Sequence, residues 1–442
     1  MGKEALKMLH FGFNQDQGCL FCGTNAGFRV YNCDPFQEKM RRDFKDGGIG
    51  YVEMLFRCNI FALVGGGDNP KFAPSKVMIW DDHQNRCIGE LSFRSQVRAV
   101  KLRRERIVVA LEHKVLVYDF KDLKLLHSIE TLSNPMGLVA LSPSQDQTVM
   151  ACPGLHCGQV RVELYDVRRT KFVEAHTTSL ACLALSLDGK LLATASERGT
   201  LVRVFSTTDG SKLQELRRGA DPARIFSIAF SRGDIPEFVA VSSDKGTVHV
   251  FNLDPKRTAA IPSTDATSTQ IDGNSPRNPV SALKFVSSFL PVPYFASERS
   301  FAQFRLPEDT KAVVGFGPSN SSLIVASASG SFFTASFDSD KGGICKQESF
   351  CNNPTGKAAP RRACRDVHHQ GRRGQTRFAS IWTQPQACIE KVPELSEGIT
   401  AFEAIQGGSP AQETQHIQPA KAKPRLTYAN QPFTNRADVS QT

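Results

Sequence analysis

Six short segments with two-residue alternation, each closing on an aromatic residue, recur along the first 251 residues of the chain. The closing aromatics are Tyr31, Trp80, Tyr118, Tyr165, Phe205 and Phe251. They stand 49, 38, 47, 40 and 46 residues apart. A period of about 40–50 residues is typical of a four-stranded propeller blade, whereas a helical repeat would show a 3.6-residue pattern. The repeat therefore predicts an all-β chain.

The segment before an aromatic unit also repeats, and it leads to a glycine in the next turn, where a positive φ is often required. Such segments precede Gly27, Gly199, Gly246 and Gly330. The last of them supplies a seventh unit. We therefore predict a seven-bladed, WD40-like β-propeller over residues 6–350, in which Trp80-Asp81 is the single Trp-Asp dipeptide.

The composition fits one folded domain of this size. The chain has 442 residues, of which 40% are hydrophobic and 22% charged, and these values exclude whole-chain disorder and collagen-like or coiled-coil structure. No apolar run approaches the ~18–20 residues of a membrane span, and the first residues lack the apolar core of a signal peptide. We therefore expect a cytoplasmic protein whose cysteines stay reduced.

The net charge of +10 is unevenly distributed. Residues 351–442 hold twelve Lys and Arg against seven acidic residues, so 12 − 7 = +5 lies in this segment. Its composition predicts a disordered basic tail. A second departure from the repeat, the polar stretch 254–280, predicts an exposed loop between the sixth and seventh blades.

Two adjacent arginines, Arg217 and Arg218, follow the fifth unit in the Leu-Arg-Arg-Gly segment 216–219. Neighbouring side chains of a strand point to opposite faces, so the pair serves two separate pockets. The fifth and sixth units offer parallel polar residues, since 196–200 (Ser-Glu-Arg-Gly-Thr) matches 243–247 (Ser-Asp-Lys-Gly-Thr). Hydroxyl, imidazole and guanidinium groups suit phosphate. The pattern indicates either a duplicated site for anionic headgroups or an ordinary solvated strand.

The segment 216–219 resembles the Phe/Leu-Arg-Arg-Gly motif of the PROPPINs, the phosphoinositide-binding propellers of autophagy (the autophagy-related 18 and WIPI group). Segments 52–57, 134–138 and 242–249 are also similar to the family, and the resemblance covers about residues 9–350. It implies a propeller that binds phosphatidylinositol 3-phosphate and 3,5-bisphosphate at two sites on its rim. It also implies recruitment of autophagy machinery to membranes during autophagosome formation.

Carried over residue by residue, the resemblance implies two sets of lipid-binding side chains. The first set is His176, Thr194, Ser196, Thr200, Arg203 and Arg217. The second set is Arg218, Ser243, Thr247 and His249. Replacement of both arginines by alanine is expected to abolish membrane recruitment.

Two further regions are expected to meet the membrane or a partner. In the family, the loop before the seventh blade inserts into the bilayer. The apolar residues expected to do so here are Leu283, Phe285, Val286 and Phe289. The alternative is that this segment forms the first strand of the seventh blade.

The segment 13–16 is similar to one that binds autophagy-related protein two in some relatives. Asn14 and Asp16 are therefore candidate partner-binding residues, or else turn residues. We expect a monomer that lies on pre-autophagosomal, endosomal or vacuolar membranes.

The sequence holds no phosphate-binding loop, serine-hydrolase elbow or zinc-protease motif, so we expect a protein that is not an enzyme and needs no cofactor or metal. Cys19 and Cys22 lie at an odd spacing on one strand, which disfavours a shared metal. The rival interpretation is a generic propeller scaffold for protein interactions without lipid specificity, or one whose basic tail binds nucleic acid through 361–362 and 372–373. Stacking aromatics are sparse there, so we expect no nucleic-acid partner.

Overall fold

The computed structural model describes residues 6–233, 235–254, 277–279 and 297–352. These residues form 29 β-strands and no helix, which confirms the all-β class predicted from the alternation. Within the same ranges, we accordingly find no helix with the length and apolar character needed to cross a membrane. The predicted insertion residues 283–289 and almost all of the predicted tail lie outside the described residues.

The first four sheets are four-stranded antiparallel meanders in chain order. The first contains β1 (Met8–Phe13), β2 (Cys19–Thr24), β3 (Gly27–Cys33) and β4 (Phe36–Asp43). The second contains β5 (Ile49–Met54), β6 (Ile60–Gly65), β7 (Lys76–Asp81) and β8 (Arg86–Ser92). The third contains β9 (Ala99–Arg103), β10 (Arg106–Ala110), β11 (Lys114–Asp119) and β12 (Leu125–Glu130). The fourth contains β13 (Ala140–Leu141), β14 (Val149–Pro153), β15 (Gln159–Leu164) and β16 (Arg169–Glu174).

The later strands form two larger sheets. The fifth contains β17 (Leu180–Leu185), β18 (Leu191–Ser196), β19 (Leu201–Ser206) and β20 (Lys212–Arg217), with β24 (Glu298–Arg299) parallel to β20. The sixth has eight strands. One half contains β21 (Ile225–Phe230), β22 (Phe238–Ser243), β23 (Thr247–Asn252) and β25 (Ala302–Arg305). The other half contains β26 (Ala312–Phe316), β27 (Ser322–Ser327), β28 (Ser331–Asp338) and β29 (Gly342–Asn352).

The sheet count differs from the seven separate blades that the sequence predicts. The reason is that β25 and β29 pair in parallel, through Ala302 with Gly343 and Gln303 with Ile344, and this pairing joins two four-stranded halves. Strand β29 ends at Asn352, two residues beyond the boundary predicted at 350. The strand that completes the last half-sheet is therefore present.

Successive sheets pack face to face and return to the start. Phe28 and Phe61 lie 5.2 Å apart, centroid to centroid, in the cluster between the first and second sheets. At the end of the circuit, Phe36 of the first sheet stacks on Phe332 of β28 at 4.1 Å. Burial of these rings, together with many aliphatic side chains, stabilises the packing of each sheet against its two neighbours. The described strands thus form a closed ring.

The turn between β1 and β2 ties several sheets together. The amide side chains of Gln15 and Gln17 bond to backbone groups of four other strands. Gln15 donates to the carbonyls of Met54 and Leu102 at 2.8 and 3.1 Å. Gln17 donates to the Phe230 carbonyl at 3.0 Å and accepts from the Phe316 N–H at 2.6 Å. This turn therefore links the first sheet to both halves of the sixth.

All ten described cysteines are free thiols. Cys19 packs between the first two sheets, whereas Cys22 packs against strands of the last half-sheet. The two thiols therefore lie on opposite faces, as their odd spacing predicts. Burial raises the pKa of Cys22 to about 11, so this thiol stays protonated at neutral pH.

Candidate phosphate-binding faces of the fifth and sixth sheets

One face of the fifth sheet collects most of the residues predicted for the first site. Thr194 of β18 stands across from Arg203 of β19, and Arg203 stands across from Glu215 of β20. Directly paired residues point to the same face, as do residues two apart on one strand. Ser196 and Arg217 therefore share this face. We call it the first face.

His176 reaches the first face from the end of the fourth sheet. Its Nε2 lies 3.0 Å from the Thr194 hydroxyl, and Arg203 donates from Nη1 to the Ala175 carbonyl at 2.6 Å. Burial lowers the pKa of His176 to about 4, and the positive charge of Arg203 contributes. The imidazole is therefore neutral at pH 7. A groove lined by Phe172, Ala175, Arg203 and Lys212, among others, opens beside it.

A carboxylate lies inside the first face. Arg203 donates from Nε to Glu215 Oε2 at 2.9 Å, and Lys212 Nζ lies 3.6 Å from the same oxygen. The Glu215 side chain is only 19% exposed. The first face therefore contains a counter-charge for its own arginine.

The remaining two residues of the predicted first set lie at the end of the fifth sheet. Arg217 donates from Nε to the Ser297 hydroxyl at 2.7 Å and pairs in register with Arg299 of β24. Thr200 lies beside Arg218, because the Arg218 N–H donates to the Thr200 carbonyl at 2.9 Å. The register thus sets Thr200 next to the second arginine of the pair rather than the first.

The second set of predicted residues gathers between the fifth and sixth sheets. His249 of β23 stands across from Val241 of β22, and Ser243 and Thr247 lie two residues along each strand on the same side. On the outer side of β23, His249 stands across from Gln303 and Thr247 across from Arg305. We call this the second face.

Arg218 approaches the second face from the fifth sheet. It is 8% exposed, donates from Nε to the Gly199 carbonyl at 2.8 Å and also donates to the Asp221 carbonyl. Burial and the Arg218 charge lower the pKa of His249 to about 4. The Nδ1 atom of His249 is buried and has no hydrogen-bond partner within the described part of the chain. A buried polar atom without a partner costs free energy, and an anion bound by the neighbouring Arg218 could supply that partner.

Three residues of these faces escaped the sequence analysis. Glu215 lies two residues before Arg217, so the two-residue period of a strand is enough to predict that it shares a face with Arg217. Gln303 and Arg305 had no such signal, because a long stretch of chain separates them from β23. Only the hydrogen-bonded ladder sets them across from His249 and Thr247.

The two candidate partner residues differ in accessibility. Asn14 is 3% exposed; it donates to the Phe56 carbonyl at 2.9 Å and accepts from the Cys19 N–H at 2.9 Å. Its contacts fit the turn role that the sequence left open. The Asp16 side chain is 36% exposed and pairs with Arg57 at 2.6 Å, so it is the accessible one of the two.

The ring of four-stranded units with two polar faces defines a class, the β-propellers with a repeated polar set on adjacent blades. Within that class, the PROPPIN family model matches residues 7–349. The chain therefore belongs to the PROPPIN family, and the resemblance inferred from the Leu-Arg-Arg-Gly segment is confirmed.

Similarity to individual proteins agrees with this assignment. The chain is 44% identical over 343 residues to "Autophagy-related protein 18e" of Arabidopsis thaliana, covering 77% of this chain and 86% of that one. The solved structure of Kluyveromyces lactis Hsv2 matches with a TM-score of 0.61 at 23% identity, over 79% of this chain and 99% of that one. A complex of KlAtg21 with the coiled-coil of AgAtg16 matches with a TM-score of 0.61 at 23% identity, over 79% and 99%. At such identities the two structures bear on the fold alone.

Proposed function

We propose that this chain is a phosphoinositide effector of autophagy. It binds phosphatidylinositol 3-phosphate and 3,5-bisphosphate through the first and second faces and brings autophagy proteins to membranes during autophagosome formation. In this proposal the eight-stranded sheet counts as two blades, which makes seven. The protein is a cytoplasmic monomer that attaches to the surface of pre-autophagosomal, endosomal or vacuolar membranes.

The unpaired His249 Nδ1 beside Arg218 is the observation that carries the proposal. A neutral imidazole can present an N–H, and Arg218 supplies charge-assisted donors. The Ser243 and Thr247 hydroxyls add neutral donors on the same face. A phosphate monoester satisfies such a set, because its oxygens are all acceptors. The first face offers the parallel set of Thr194, Ser196, Arg203 and Arg217.

Membrane attachment needs a second signal, because headgroup contacts alone are reversible. In the proposal, the residues Leu283, Phe285, Val286 and Phe289, which follow the polar loop 254–280, supply it by insertion. Among proteins, we propose autophagy-related protein two as a partner near Asp16. The complex of the structural neighbour KlAtg21 with a coiled-coil makes a coiled-coil protein a second candidate.

Flotation of the full chain with liposomes tests the proposal. Liposomes of neutral lipid with about 5 mol% of a single phosphoinositide would be compared with neutral liposomes, at a salt concentration of about 150 mM, where unspecific charge attraction is weak. We expect the unaltered chain to float only with the two named lipids. The double variant Arg217→Ala/Arg218→Ala should stay at the bottom.

The chain contains its own matched control. Arg168 and Arg169 form another adjacent arginine pair; both are exposed, at the turn before β16 and at its first residue, and neither lines the groove beside the first face. The variant Arg168→Ala/Arg169→Ala carries the same charge change and should float like the unaltered chain. Equal flotation of both double variants, or of phosphoinositide and neutral liposomes, would refute the proposal.

A further inference from the structure

The first and second faces occupy equivalent positions in their sheets, and this equivalence exposes a difference in charge. The segments 201–205 and 247–251 are equivalent third strands, so Arg203 corresponds to His249. Across the ladder, Arg203 faces Glu215 and His249 faces Gln303. Position 215 of the first face is thus matched by position 303 of the second.

The two side chains at this matched position have the same shape and differ by one charge. Glu215 carries a carboxylate that binds Arg203 Nε at 2.9 Å. Gln303 carries a neutral amide, whose Nε2 donates to the Ser300 hydroxyl at 2.7 Å. Both outer strands carry an arginine two positions further along the strand. Arg217 of β20 lies across from Leu201, and Arg305 of β25 lies across from Thr247.

A carboxylate beside a phosphate opposes binding by charge repulsion, and the repulsion grows with the charge of the ligand. In the first face, Glu215 also neutralises the arginine that an incoming phosphate would use. The second face lacks a carboxylate at the matched position. Asp244 and Asp221 act on Arg218 of the second face, but at the matched position the Coulomb cost of a second phosphate group is larger in the first face than in the second.

We infer that Glu215 and Gln303 are specificity-determining residues that give the two faces different headgroup preferences. Glu215 restricts the first face to headgroups of lower charge, whereas Gln303 lets the second face accept more highly phosphorylated ones. The inference rests on the proposed function, because it assigns selectivity within the two lipid sites.

Reciprocal substitutions, Glu215→Gln and Gln303→Glu, test it with little change of shape. Calorimetric titration of the full chain would use two soluble headgroups, inositol 1,3-bisphosphate and inositol 1,3,5-trisphosphate, and would be fitted with two sites. For Glu215→Gln, we expect the first face to bind the trisphosphate roughly tenfold and the bisphosphate roughly threefold more tightly. Gln303→Glu should weaken binding at the second face, roughly tenfold for the trisphosphate and roughly threefold for the bisphosphate.

The control is Glu112→Gln, which removes one carboxylate from an ion pair with Arg98 at 2.8 Å in the third sheet. It makes the same change in net charge as Glu215→Gln and should leave the affinities of both faces for both headgroups unaltered. Melting temperatures of all three variants check that the fold is kept.

Failure of the inference and failure of the proposed function have different signatures. If the unaltered chain binds neither headgroup, the proposed function is wrong. If it binds both, but the ratio of the two affinities stays constant in Glu215→Gln and Gln303→Glu, then only the selectivity inference is overturned. A matching change in Glu112→Gln would overturn it as well, because net charge would then explain the effect.

Discussion

The first and second faces share one strand register but differ in how their polar groups are satisfied. In the first face, His176 bonds to Thr194, and Arg203 bonds to both Glu215 and the Ala175 carbonyl. In the second face, Arg218 is held by backbone carbonyls, and His249 keeps a buried nitrogen without a partner among the described residues.

The difference teaches that one polar pattern can serve two roles. Groups that already bond to each other must exchange those bonds for bonds to a ligand, so the net gain on binding is small. Groups that are buried and unpaired gain the full hydrogen bond. We therefore expect the second face to contribute more to headgroup affinity, and the first face to contribute more to stability in the absence of ligand.

The largest effect is expected on the free energy of unfolding when the pH is lowered. Both His176 and His249 have a pKa lowered to about 4, against 6.5 in the unfolded chain. Between pH 6.5 and 4 the unfolded chain binds more protons, so the free energy of unfolding falls as the pH falls through this window. Each histidine contributes to the free energy of unfolding about 1.4 kcal/mol for every unit by which its pKa differs between the folded and the unfolded chain. Urea unfolding at pH 7, 5.5 and 4.5 measures the slope.

Single substitutions sharpen this first prediction. His249→Asn and His176→Asn should each flatten the pH slope, because asparagine does not titrate in this range. His176→Asn should also lower the stability at pH 7, since the bond to Thr194 is lost. Part of the slope remains in both variants, because burial also lowers the pKa of His10 to about 3. An unchanged slope in both variants would contradict a contribution of the two faces to the acid sensitivity.

The next largest effect is expected for the two arginines taken singly. Arg218→Ala removes charge-assisted bonds to phosphate worth about 2 kcal/mol, which is roughly thirtyfold in affinity at the second face. Arg217→Ala should cost less, because it removes a donor from the first face, where the Glu215 carboxylate already opposes a phosphate. Calorimetric titration with inositol 1,3-bisphosphate measures both losses. Equal losses, or a greater loss for Arg217→Ala, would break the comparison.

The smallest effect is expected for the hydroxyl groups, and it separates the two faces most cleanly. Thr194 is fully buried and bonded, so Thr194→Val should lower the free energy of unfolding by about 1 kcal/mol. Thr247 is half-buried on the second face, so Thr247→Val should leave stability unchanged and weaken headgroup binding by about fivefold. Melting temperature and calorimetry on both variants give the test. The reverse pattern would show that the faces are assigned the wrong way round.

Local sequence rules predict some residues of the two faces and not others. Alternation along one strand predicts that Arg217 and Arg218 serve two separate pockets, and this stays a prediction. Strand β20 ends at Arg217; the Arg217 side chain bonds to the Ser297 hydroxyl, and the Arg218 side chain bonds to the Gly199 carbonyl. The same local rule places Glu215 beside Arg217. It could not find Gln303 and Arg305, because they are far along the chain and are set beside β23 only by the ladder. It also could not show that Asn14 is buried, since its neighbours Phe56 and Cys19 come from two other segments.

The sequence by itself determined the all-β repeat, its period and the two faces of each strand, because these follow from the local geometry of alternating side chains. The tertiary structure decided which residues stand opposite one another, why β25 and β29 join two half-sheets, and which imidazole nitrogen stays unpaired. Register depends on turns and packing between distant segments, and a one-residue shift would turn each side chain to the other face. For that reason the charge difference between positions 215 and 303 becomes visible only in the folded ring.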